Sequence, residues 1–176
     1  STVNLPQLAL DYDFTVGCNA LHRDMTVDHL VCCDKRMVEE AVKSDNTKKT
    51  KIYTRQDWFR YYYNDTKDER VLPVPFLPYN GELKQDDPVH WGSGPYAVLL
   101  SAMLSETVLM IGFDLYSTDS LVNNIYKNTK NYSSSDKKSV DPSYWIYQTA
   151  KVFEHFPNTS FIIFNKDEWV LPEDWK

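Results

Sequence analysis

His90-Trp91-Gly92-Ser93-Gly94-Pro95-Tyr96 opens a stretch that runs through the apolar residues 97–104 and closes in Val108-Leu109-Met110-Ile111-Gly112-Phe113-Asp114-Leu115-Tyr116. Glycines on both sides of Ser93 make residues 92–95 a small-residue turn, and Pro95 suits the first turn of a following helix. Apolar residues at 96, 99, 100, 103 and 104 fall on one helical face, which predicts a helix over 96–105. The apolar run 108–111 then predicts a buried strand that ends in Gly112 and Asp114. Turn, helix, strand and strand-end carboxylate follow one another within 27 residues of sequence, 90–116.

Outward from this stretch the same alternation repeats. Residues 13–19 and 28–34 are apolar runs that close in Asn19 and Asp34, and 51–54 and 160–164 are two further short strands. Residues 35–43 carry Met37, Val38, Ala41 and Val42 at helical spacing. Asp141-Pro142 opens another helix, with Asp as N-cap and Pro in the first turn. Residues 71–79 contain Pro73, Pro75 and Pro78 and must be extended. Residues 56–68 are aromatic and charged with no decisive period. Short strands alternating with amphipathic helices predict an α/β domain, Rossmann-like, with three α/β/α layers around a largely parallel sheet. Its 176 residues fit one domain spanning 1–176, with a polar excursion at about 117–140.

Composition narrows the partners. The chain is 42% hydrophobic and 25% charged, ordinary globular usage that excludes a disordered chain. The formal net charge is −6, and no basic run exceeds two residues, so no nucleic-acid partner is expected. The longest apolar stretch, 96–104, is too short to span a bilayer. The N-terminus reads as no signal peptide, and Cys18, Cys32 and Cys33 read as reduced thiols, so a cytoplasmic location is expected. No histidine spacing matches a metal motif, and no cofactor is expected. The aromatic residues 58–63, Tyr79, Tyr126, Tyr132, Tyr144 and Trp145 suggest an acceptor platform, a homo-oligomer contact or simply core.

In open α/β sheets, ligands bind beyond the carboxyl ends of the strands. That singles out Asn19, Asp34, Gly112 and Asp114. Ser93 and Gly94 join them, because helix N-terminal amides bind anions and glycine permits close approach. The segments ending at Asn19, Asp34 and Asp114 are expected to be parallel neighbours, with a cleft bounded by Ser93, Gly94, Asp114 and Tyr116.

Ser93-Gly94-Pro95-Tyr96, helix, strand and Gly112-Phe113-Asp114-Leu115-Tyr116 resemble the central motif of the bacterial sialyltransferases of glycosyltransferase family 42, and of the related pterin-pyrophosphokinase-like (MptE-like, domain of unknown function 115) proteins. The stretch 14–22, with Cys18-Asn19, is similar to a sialyltransferase strand ending in Arg-Cys-Asn. The resemblance implies a Rossmann-like fold and a nucleotide-sugar donor. It implies that Asn19 lies beside the donor nucleotide and that Ser93 and Gly94 meet it. Gly112 and Asp114 would face the base or ribose, and Tyr116 the leaving phosphate. Tyr126 lies near the position of a second phosphate-binding tyrosine. Asp141 falls where the family keeps a catalytic-base histidine and His90 where it keeps an arginine. In the family a glycine-rich loop precedes the first segment, and this chain, starting at Ser1, is expected to have been cut just inside it. Two alternatives stand beside a glycosyltransferase: a non-catalytic binding or structural relative, and a pterin pyrophosphokinase-like enzyme that would use Asp34, Asp114 and Asp141 around a metal-held triphosphate.

Overall fold

A computed structural model describes residues 11–77, 88–116, 120–122, 124–165 and 169–176. Pro78 and Tyr79, and the first residues of the expected excursion at 117–119, lie outside them. Strands β1 (Val16–Cys18), β2 (His29–Val31), β3 (Lys51–Thr54) and β4 (Val71–Pro73) form a four-stranded sheet in that order. All three pairings are parallel, with Gly17, Leu30, Ile52 and Val71 in register. β5 (Thr107–Ile111) and β6 (Ser160–Phe164) form a second, two-stranded parallel sheet. The helices are α1 (Lys35–Lys43), α2 (Gln56–Asp65), α3 (Ser93–Leu104) and α4 (Ser143–His155). Parallel strands joined through helices are the predicted α/β fold.

Side-chain alternation assigns the layers. Leu30, Ile52 and Val71 point to one side, into a core with Met37, Val38 and Ala41 of α1 and Tyr62 of α2. Val31 and Cys33 point to the other, into a core built on α3 that also takes Val108 and Met110 of β5 and Val152 of α4. Leu30, Val31 and Ile52 are fully buried, and each contributes roughly 1.5–3 kcal/mol of burial free energy. α3 packs against β1, β2, β5 and α4, which is why it is apolar almost all round rather than on one stripe. The single face predicted from its sequence is therefore too narrow. Ala97, Val98 and Ala102 are buried as well, whereas Met103 and Leu104 are exposed.

Residues 56–65 form a helix that the sequence left undecided. Only Phe59 and Tyr62, three residues apart, turn toward the core. Tyr61 and Tyr63 face outward, and Lys35 lies 4.6 Å over the Tyr61 ring and Lys67 4.9 Å over Tyr63. Aromatics on all sides of a helix mask its inward stripe.

The expected single sheet is split. β5 is not a hydrogen-bonded neighbour of β1 or β2; it pairs with β6 alone. The Cys33 amide donates to Ser93 Oγ at 3.0 Å, and a Cβ on Gly94 would lie 3.8 Å from the Phe113 ring, so β2 and β5 both end at the first turn of α3. A cavity of about 680 Å³ occupies the gap, lined by Thr15 and Val16 beside β1, Thr107–Ile111 of β5, and Ala97, Val98 and Ser101 of α3. The second sheet also departs from the three-layer expectation. Its face opposite α3 and α4 leaves Leu109, Ile162 and Phe164 39%, 50% and 44% exposed.

Three carboxylates staple the four-stranded sheet and its helices. Asp28 accepts the Thr15 amide and hydroxyl, Glu40 takes a fork from Arg23, and Asp68 takes one from Arg70, whose guanidinium also reaches the Val42 and Thr47 carbonyls. These hydrogen bonds hold all three carboxyl groups below the usual carboxylate range. The unfolded chain binds those protons more readily, so the stabilisation is complete above about pH 4–5 and is lost as pH falls through the lower folded values. The melting temperature should decline slightly from pH 7 to 5, because burial lowers the folded pKa of His29, and fall more steeply below pH 4, less so in Asp68→Asn. A wild-type profile that stays flat to pH 2.5 would contradict this linkage.

Candidate functional site

The carboxyl ends of β1, β2, β3 and β5 converge on the N-terminus of α3. β1 ends in Asn19, whose φ of 50° is a left-handed conformation that asparagine tolerates better than most residues. Its carbonyl accepts from His22 Nδ1 at 2.9 Å, and its side-chain Oδ1 is buried with no hydrogen-bond partner. β5 ends in Gly112 at φ 80°, a backbone that a Cβ would strain, followed by Leu115 at φ 52°. Two strand ends thus carry left-handed residues, which turn the chain sharply away from the sheet.

Asp34 follows β2 and sits at the N-cap position of α1, but its side chain makes no cap bond. It is largely exposed and faces Arg55 Nη2 at 3.8 Å. Arg55 itself follows β3 and was not singled out by the sequence, where one arginine beside a short strand carries no signal. Its Nη1 donates to the Val89 carbonyl at 3.2 Å, while Nε is buried and unpartnered. Thr54, fully buried, has an unpartnered Oγ1 as well. Arg55 also lies against Cys33, whose thiol burial pushes up to about 11. All three cysteines are free thiols.

Ser93 is buried, and its Oγ accepts the Cys33 amide, joining β2 to α3. It is the first helical residue; Gly92 is the N-cap, and its amide donates to Gln148 Oε1 at 3.3 Å. A Cβ on Gly92 would come within 3.1 Å of Trp145 Nε1, whereas Gly94 has room. The amides of a first helical turn have no intrahelical acceptor, so 93 and 94 present donors at the positive end of the helix.

Gly112, Asp114 and Tyr116 lie beside this turn through Phe113. Trp169 Nε1 donates to the Asp114 carbonyl at 2.9 Å, and its ring lies 6.4 Å from that of Tyr116, which is 41% exposed. Tyr126 lies elsewhere, with the α1-side core. Its hydroxyl donates to Asp24 Oδ2 at 2.6 Å, which together with burial raises its pKa. The cavity between β1 and β5 reaches these strand ends at Ile111 and Phe113; the rest of its lining mixes apolar side chains with Asp11, Asp13, Ser101 and Ser105.

Asp141 Oδ1 accepts the Ser143 amide at 2.9 Å at the start of α4. That bond lowers its pKa, the opposite of what a general base at neutral pH needs. Asp141 is thus not the expected N-cap but stands one residue before it, Pro142 holding that position. Asp141→Asn should leave the melting temperature within about 1 °C, because Asn keeps a side-chain oxygen for the Ser143 amide. A large loss of stability in that variant would show a second role for the charge. No three His, Cys, Asp or Glu side chains among the described residues gather as a metal-binding group, so Asp34, Asp114 and Asp141 are not brought together as one. Among the described residues no helix is long and apolar enough to cross a membrane. No family model matches the chain, and no curated protein or solved structure is significantly similar to it.

Proposed function

We propose that the chain binds a nucleotide or nucleotide sugar at the carboxyl ends of its parallel strands, as a glycosyltransferase-like protein. The observation that carries this reading is that Cys33 touches both donors: its amide bonds Ser93 Oγ at the first turn of α3, and its side chain lies against the Arg55 guanidinium, whose buried Nε makes no hydrogen bond. Amides at a helix N-terminus and an arginine fork are the donors that phosphate oxygens take. Asn19 Oδ1, buried and unpartnered, is an acceptor for a base amino group or a sugar hydroxyl. In this reading Tyr116, half-exposed beside Trp169, would donate to the phosphate oxygen that gains charge as the glycosidic carbon departs.

A second reading, a binder without catalysis, draws support from Asp141. The carboxyl groups with shifted pKa among the described residues, Asp28, Glu40, Asp45, Asp68 and Asp141, are all shifted down. None of these is primed to take a proton from an acceptor hydroxyl.

Thermal unfolding with cytidine and uridine mono- and diphosphates tests binding. A ligand at a hundredfold excess over Kd adds about 2.7 kcal/mol. Gly94→Ala should fold normally, gain up to about 1 kcal/mol from helix propensity, and lose at least tenfold in affinity because its methyl group fills the approach to the turn. No stabilisation by any of these nucleotides would remove the reading. Release of nucleotide from a nucleotide sugar then separates the enzyme from the binder.

A further inference from the structure

We infer that residues 124–135 form a cover over the carboxyl end of β1, and that Arg23 is the latch that holds it shut. The segment is knitted to itself: Asn128 N donates to the Ser133 carbonyl, Ser135 N to Asn128 Oδ1, and Tyr132 N to the Thr129 carbonyl. A narrow neck joins it to the rest of the fold, where Leu121 bridges Lys138, Val122 N donates to the Lys137 carbonyl and Ser139 N to that of Ser120. A self-bonded loop on a narrow neck moves as a unit.

Its far side is fastened chiefly through the Arg23 guanidinium, which makes two of its hydrogen bonds to the segment and stacks on two of its tyrosines. Arg23 grips Glu40 through Nε at 2.5 Å and Nη2 at 2.8 Å. It also donates to Thr129 Oγ1 and to the Lys130 carbonyl, both at 2.7 Å. Tyr126 and Tyr132 stack against it at 5.6 and 5.7 Å. Asn131 Nδ2 adds a bond to Glu40 Oε2 at 2.8 Å, and the Tyr126 hydroxyl one to Asp24. Beneath this cover, Tyr132 packs on the core that holds Ala20 and Cys32, and its hydroxyl lies 3.4 Å from the Ala20 amide, next to Asn19. The segment buries little else; 125 and 127–130 are exposed. Segments with few buried contacts open at low free energy, so the Arg23 bonds set how often this end of the cleft is reachable. The inference rests on the nucleotide reading only for what enters.

The test needs no ligand. Amide exchange of the whole chain is compared in wild type, Arg23→Ala and Arg23→Lys, together with iodoacetamide labelling of Cys32 followed by peptide mass mapping. Lysine keeps a charge for Glu40 but cannot fork to residues 129 and 130. In Arg23→Ala, exchange across 124–135 and Cys32 labelling should each rise at least tenfold, while β2 and β3 amides are unchanged; Arg23→Lys should fall between. Unchanged exchange at 124–135 would overturn the latch. Equal acceleration across β2, β3 and α1 would make Arg23 a core residue instead. A loosened segment with Cys32 labelled no faster would show that it covers nothing. Failure of cytidine or uridine nucleotides to bind would count against the nucleotide reading alone.

Discussion

Trp91→Ala should cost about 3–5 kcal/mol of stability, the range for removing a large aromatic from a packed core. Trp91 is fully buried, 5.7 Å from the Tyr96 ring, in the core shared by β2, α3, β5 and α4. That loss is from about a fifth to all of the roughly 5–15 kcal/mol that an ordinary domain has. Because Trp91 is covalently next to Gly92, the cavity would also loosen the turn that presents the 93 and 94 amides. Urea unfolding should show a lower midpoint with an unchanged slope, and Trp91→Phe should recover part of it. A midpoint within 0.3 M of wild type would show that the core does not depend on this ring.

Arg55→Ala should act on binding far more than on folding. The charge that Arg55 brings to the strand ends contributes about 1.5–3 kcal/mol to a phosphate through charge-assisted hydrogen bonds, so affinity for a nucleotide diphosphate should fall roughly 10- to 150-fold. Of its folded-state contacts, the Val89 carbonyl and Asp34 at 3.8 Å are partly solvated, and the buried Cys33 thiol beside it is uncharged at neutral pH. The stability change should stay under about 1 kcal/mol. Titration calorimetry of the variant and of Arg55→Lys separates charge from fork geometry. Equal affinity in all three proteins would place the phosphate elsewhere.

Much of the fold was legible because its signals are local. The strands at 16–18, 29–31, 51–54, 107–111 and 160–164 are short apolar runs, and α1 and α4 carry helical spacing. α2 was not legible, because outward aromatics held over lysines look like inward ones. The break between β1 and β5 was not legible either, since neither strand's own residues say which edge will find a partner. At the site, glycine and carboxylate positions could be named from the turn and strand ends. Arg55 could not, because its importance comes from an orphaned Nε that exists only once β2, β3 and the 88–90 turn are assembled. That Ser93 Oγ also accepts the Cys33 amide could not be read, because that neighbour comes from a strand end 60 residues away.

The gap between β1 and β5 has a mechanical meaning. Within each ladder, neighbouring strands are tied by backbone hydrogen bonds, and sliding one past another breaks them in register. Across the gap, no backbone ladder joins the two among the described residues; α3 packs on both, and residues 124–135 reach Ala20 and Glu40 through side chains. Packed surfaces of that kind shear by small rotamer adjustments at low cost. The molecule is therefore stiff along two directions and compliant along one seam, and that seam runs up to Gly112 and the first turn of α3. Any change in the spacing between Asn19 and Asp114 is a displacement of one ladder against the other, so the packing of α3, which touches β1, β2 and β5, bears directly on the distance between those strand ends.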